Sequence, residues 1–117
     1  MSRSDGATPA FIENQFDSAF NANIALIIGE FSEWGAFNGN NSICVGDGKC
    51  DYNAIMTKAS EHGFGWYAWE WGPGNEFGDP NCSKMNMTTN GTFATKQAGW
   101  ATDVFNRIAI ESNPIIG

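Results

Sequence analysis

Only two stretches of this chain have the character of buried strands, and both are short. Residues 24–31, "IALIIGEF", and 64–71, "FGWYAWEW", are apolar and rich in β-branched or aromatic side chains. A short apolar run bounded by turn-forming residues is the pattern of a strand covered on both faces in a parallel sheet. Each run follows a helical stretch. "PAFIENQFDSAFNAN" spaces Phe11, Ile12, Phe16 and Phe20 at near-helical intervals. Thr8 is suited to the N-cap and Pro9 to the first helical position, which predicts a helix over 9–21. "DYNAIMTKASEHG" predicts a second helix over 51–62, with Asp51 as N-cap and Gly63 just past its end. "ATKQAGWATDVFNRIAIE" predicts a third over 94–111, with Trp100, Val104, Phe105 and Ile108 on one side. The order is α-β-α-β-α. Strands alternating with helices imply right-handed crossovers and a parallel sheet, so the expected class is α/β with two parallel strands.

Two parallel strands cannot close a sheet, and three helices cannot cover its edges. Open edges with apolar faces drive association, so the sequence predicts either a homo-oligomer or a part of something larger. A dimer burying face on face is the simplest closed solution. Strict alternation along the two runs puts Leu26, Ile28, Tyr67 and Trp69 on one face and Ile27, Trp66 and Ala68 on the other. At 117 residues the chain holds one domain at most. Residues 1–8 read as a disordered or tag-like lead and 9–117 as a single domain. The net charge of −7 argues against nucleic acid and against an anionic membrane surface as partners. No apolar run approaches the roughly 20 residues that span a bilayer. The opening "MSRSDGATPA" has no apolar core of the kind found in a secretory signal.

Long loops follow both strands: "SEWGAFNGNNSICVGDGKC" and "GPGNEFGDPNCSKMNMTTNGTF". In α/β folds such loops, at the carboxyl ends of the strands, hold the chemistry. The three cysteines lie there, Cys44 and Cys50 in the first loop and Cys82 in the second. They read as free thiols of a reducing cytoplasm, or as one bridge, Cys44–Cys50 or either of these to Cys82, with one thiol left over. Four asparagines, Asn40, Asn81, Asn86 and Asn90, each begin an N-x-S/T triplet. The scattered Asp47, Asp51 and Asp79 lack a metal-ligand spacing, and "GDGKC" is not a phosphate loop. Neither metal nor cofactor is expected.

Glu30 closes the first strand as the rim residue of an otherwise apolar face, where a carboxylate is costly unless it is paired or used. It fits either a strand-end glutamate reaching solvent or a reactive group. Trp69 lies near the carboxyl end of the second strand. There it is placed as a flat platform facing the loops. A sugar ring stacks its apolar C–H face on such a platform while its hydroxyls meet polar side chains. Trp34 and Trp71 are further platforms, and Asn75 is a polar neighbour in the loop.

"ALIIGEFSEWG", then "HGFGWYAWEWGPGN", then "MNMTTNGTFATKQAGW" together resemble the carboxyl-terminal portion of family 5 glycoside hydrolases of the bacterial β-mannanase and cellulase type. The resemblance runs from a helix six equivalent to helix eight of a (β/α)8 barrel, so it implies a partial barrel whose two strands are the seventh and eighth. It implies that Glu30, in "IGEF", is the catalytic nucleophile and that Trp69, in "AWEW", stacks on the sugar at the cleaved position. Glu70 stands where the family often carries serine. The family takes its acid/base from an "NEP"-like motif on the fourth strand, which this chain lacks. "NEF" at Asn75 and Glu76 follows the eighth strand and does not inherit that role. The resemblance therefore implies a fragment of a retaining endo-β-1,4-glycanase acting on a β-linked polysaccharide, from a secreted or periplasmic parent. The alternative from the same residues is a non-catalytic carbohydrate-binding or self-assembling protein.

Overall fold

The computed structural model describes residues 8–33, 50–73 and 80–112. Helix α1 spans Pro9–Asn21, strand β1 Ile27–Phe31, helix α2 Tyr52–His62, strand β2 Gly65–Ala68 and helix α3 Trp100–Glu111. Two 3-10 segments, Pro80–Met85 and Phe93–Thr95, lie between β2 and α3. The class is mixed α/β, and among the described residues β1 and β2 form one parallel two-stranded sheet.

Local chemistry sets the helix ends. The Thr8 hydroxyl accepts from the Phe11 N–H at 3.3 Å, with Pro9 opening α1. The Asp51 carboxylate accepts from the Ala54 N–H at 2.9 Å and starts α2. Gly63, at φ 69°, stops it in the left-handed conformation that glycine adopts without steric cost. α3 begins later than its sequence pattern predicts, at Trp100. Ahead of it the Gln97 N–H donates to the Met87 carbonyl at 2.8 Å, and Lys96 forms an isolated antiparallel bridge with Thr88. Residues engaged in those contacts are drawn away from a helix.

All three helices share one core with the sheet. Ile12 and Phe16 of α1, Ile55, Met56 and Ala59 of α2, and Trp100, Ala101 and Val104 of α3 are buried with Ile28 and Phe31 of β1, while Trp66 and Ala68 pack against them. On the other face Ile27 and Tyr67 are 65% and 67% exposed. The expected grouping of Ile28 with Tyr67 is thus corrected. The register pairs Ile27 with Gly65 and Ile28 with Trp66, and parallel partners point to the same side, so Ile28 and Trp66 share the covered face.

Polar ties fix the helices to one another. The Tyr52 hydroxyl donates to Asp103 Oδ2 at 2.6 Å across α2 and α3, and burial together with that carboxylate pushes the phenol pKa up. Between α1 and α2, Asp17 lies 2.7 Å from His62 Nε2 and 3.3 Å from Lys58 Nζ. The hydrogen bond from His62, then that from Lys58, holds the Asp17 carboxyl below its ordinary value of 3.8. Its folded-state pKa is depressed, so its stabilisation is fully present above pH 3.8 and is lost as pH falls through the lower folded value. Urea melts at about pH 3 and about pH 7, below and above the ordinary carboxylate value, are expected to differ less in Asp17→Asn than in the parent chain. An equal or larger difference in the variant would show that the helix–helix tie does not titrate.

Candidate functional site

The carboxyl ends of β1 and β2 lie side by side. Regular alternation would turn Glu30 to the same side as Ile28. Instead the pairing is irregular between Ile28 and Phe31, and Phe31 comes into register with Ala68. That shift returns Phe31 to the core at 2% exposure and leaves Gly29 and Glu30 exposed. One residue past β2, the Trp69 N–H donates to the Phe31 carbonyl at 2.6 Å, and Trp69 is 37% exposed. The burial pattern of the two strands therefore leaves Glu30 and Trp69 on the side away from the helices, on adjacent strands. A missed signal for this arrangement is Gly29, since glycine within a strand run often marks a bulge.

Beyond Trp69 the chain runs alongside residues 85–88. The Glu70 N–H donates to the Met85 carbonyl at 3.2 Å, and the Met87 N–H returns to the Glu70 carbonyl at 2.9 Å. The Trp69–Glu70 and Gly72–Pro73 peptide bonds are both cis. Thr88, fully buried, is the hub of this segment. Its hydroxyl lies 2.7 Å from the Trp71 carbonyl and accepts from the Gly91 N–H at 2.9 Å. Nothing in the periodicity of the sequence marks Thr88, because its carbonyl partners Trp71 and Gly72 lie on the earlier segment after β2 and not at strand or helix spacing.

Trp71 belongs to a second cluster. Its indole N–H donates to the Gly91 carbonyl at 2.6 Å, and its ring meets Phe93 and Phe105 at centroid distances of 6.5 and 5.5 Å. Lys96 Nζ sits 4.8 Å from the Phe93 centroid. Between β2 and α3 these rings line an open groove of about 620 Å³, with Trp66, Tyr67 and Ile108 along its walls. Trp71 is 45% and Phe93 58% exposed. The sequence places Trp71 among the platforms, but Phe93 and Phe105 have no signal linking them to it.

Trp34, Asn75 and Cys44 lie outside the described residues, as do the lead residues 1–7. Cys82 is fully buried and disulfide-bonded. Cys50 is a free, buried thiol whose pKa burial raises, which makes it a poor nucleophile. Among the described residues no cluster of three or more His, Cys, Asp or Glu is placed to hold a metal ion. No described helix is long and apolar enough to cross a membrane. The constellation left for chemistry is an exposed carboxylate beside an exposed indole at the ends of two parallel strands. A carboxylate can accept hydrogen bonds and an indole can stack its face on an apolar surface. Compared with known proteins, the chain matches no protein-family model and no curated sequence.

Proposed function

We propose that this chain is part of a retaining endo-β-1,4-glycanase of the mannanase or cellulase kind, with its two strands the seventh and eighth of a (β/α)8 barrel. The observation that carries the reading is the placement of Glu30 and Trp69 at the carboxyl ends of adjacent parallel strands, both exposed off the helix-covered face. In such an enzyme Glu30 attacks the anomeric carbon and forms a glycosyl-enzyme while Trp69 supports the ring. Retention needs a second carboxylate about 5–5.5 Å away as acid/base, and the motif that supplies it is not in this sequence. The chain alone is therefore expected to bind β-linked oligosaccharides and not to turn them over.

Titration of tryptophan fluorescence with manno- and cello-oligosaccharides tests this. Binding is expected, weakened at least about tenfold in Trp69→Ala, equivalent to about 1.4 kcal/mol, and retained in Glu30→Gln. An aryl β-glycoside should be hydrolysed little or not at all, because general acid–base help contributes about 10²–10⁴-fold. Robust hydrolysis abolished by Glu30→Gln would mean that the chain carries an acid/base of its own. A second reading, a self-assembling protein without a sugar ligand, is favoured by the bare sheet face of Ile27 and Tyr67. Absence of any sugar response, with sedimentation as a dimer or larger, would select it.

A further inference from the structure

We propose that Asn90 is an acceptor for N-linked glycosylation and that the fold excludes Asn86, the neighbouring triplet, from the same modification. Asn90-Gly91-Thr92 forms an exposed turn between β2 and α3. The Asn90 Oδ1 accepts from the Thr92 N–H at 3.2 Å and from the Thr92 hydroxyl at 2.8 Å, and the Thr95 hydroxyl lies 2.6 Å from it. All of the side chain's hydrogen bonds thus run through the oxygen. The nitrogen, Nδ2, is the atom that glycosylation uses, and it stays at the surface. Thr92, whose hydroxyl the modifying enzyme must recognise, is exposed beside it.

Asn86-Met87-Thr88 carries the same triplet in the opposite setting. Asn86 is 4% exposed, Met87 4% and Thr88 0%. The Asn86 side chain packs so closely on Gly72 that a Cβ there would stand 2.9 Å from Asn86 Cβ and Oδ1. A sugar on its nitrogen has no room in this fold. Asn40 and the Asn81 side chain lie outside the described residues.

The compartment is indicated independently. Cys82 is buried and disulfide-bonded, and disulfides persist in oxidising compartments, where oligosaccharyl transfer also takes place. The co-reactant is a polyprenyl-diphosphate-linked oligosaccharide. Asn90 Nδ2 bonds to the anomeric carbon of its first N-acetylhexosamine, the carbon–oxygen bond to the diphosphate breaks, and Nδ2 gives up one proton. The polyprenyl diphosphate is the leaving group, and no oxidation or reduction occurs.

The full chain is secreted from a eukaryotic host behind a cleavable signal, and its peptides are mapped after amidase release of glycans in ¹⁸O water. In parallel, the purified folded chain is incubated with an oligosaccharyltransferase and the lipid-linked donor, so the result does not depend on secretion. The expected result is a mass increase that the amidase removes, with the label on Asn90 and none on Asn86. Asn90→Gln and Thr92→Ala lose the Asn90 label, and Thr92→Ser retains it. An unlabelled Asn90 in the folded chain, or a label on Asn86, overturns the proposal.

Discussion

Replacing Phe16 by alanine is expected to remove about 3–5 kcal/mol of stability, the range for truncating a buried aromatic side chain. Phe16 is fully buried on α1, within the cluster that holds α1, α2, α3 and β1 together, and its ring meets Phe64 at 6.1 Å. α1 is held to the rest of the fold by Ile12 and Phe16, by Phe20 stacked on His62 and by the part-buried polar contacts around Asp17. A domain commonly holds only about 5–15 kcal/mol in total, so the variant should lose a substantial share of it in urea unfolding. Phe11→Ala, on the same helix but 40% exposed, is the control and should cost about 1 kcal/mol or less. Equal losses in the two variants would mean that α1 is not docked by its buried face.

Gly72→Ala is expected to be nearly as damaging for a different reason. Gly72 has φ 60°, and the left-handed region costs an L-residue about 1–2 kcal/mol. The added Cβ would also meet Asn86 Cβ and Oδ1 at 2.9 Å, an overpacking that typically costs about 1–3 kcal/mol. Together these give about 2–5 kcal/mol, read as a lowered urea midpoint. The strain falls next to Trp71 and the Thr88 hub, so the shift should be accompanied by a change in tryptophan emission. A midpoint within error of the parent would show that the segment after β2 is free to rearrange.

Both of these variants bear on residues whose importance differs in how far the sequence betrays it. Phe16 is legible: the Ile12–Phe16 spacing, Thr8 and Pro9 together define α1 at Pro9–Asn21, the bounds that the pattern predicts. α2 is equally legible, because Asp51 and Gly63 are side-chain and backbone signals that act within a few residues. Gly72 is not legible in the same way. Its constraint comes from Asn86, which lies on a later segment and leaves no periodic trace. β2 ends at Ala68 although the apolar run continues to Trp71, because hydrophobicity specifies burial and not the partner. The Trp69 N–H still reaches the Phe31 carbonyl, but from Glu70 onward the chain pairs with residues 85–88. The face of Glu30 was hidden too. Period-two reasoning carries a side chain correctly only as far as the first irregularity, and here that irregularity falls between Ile28 and Phe31.

The parallel pairing of β1 with β2 also bears on how this chain reaches its native state. Its register partners, Ile27 with Gly65 and Ile28 with Trp66, are separated by all of α2 and by the segment that precedes it. Contacts within a helix are local and close early. A parallel pair must first accept the entropy of closing a long loop before any strand hydrogen bond offsets it. The transition state for folding is therefore expected to contain α2 already formed as a helix, with β1 and β2 still apart. In stopped-flow kinetics, Ala59→Gly in α2 should slow folding, whereas Ile28→Val in β1 should chiefly speed unfolding. The reverse pattern would mean that the strands meet first, and that this chain climbs its barrier by searching for its partner strand and not by building a helical floor on which that strand later settles.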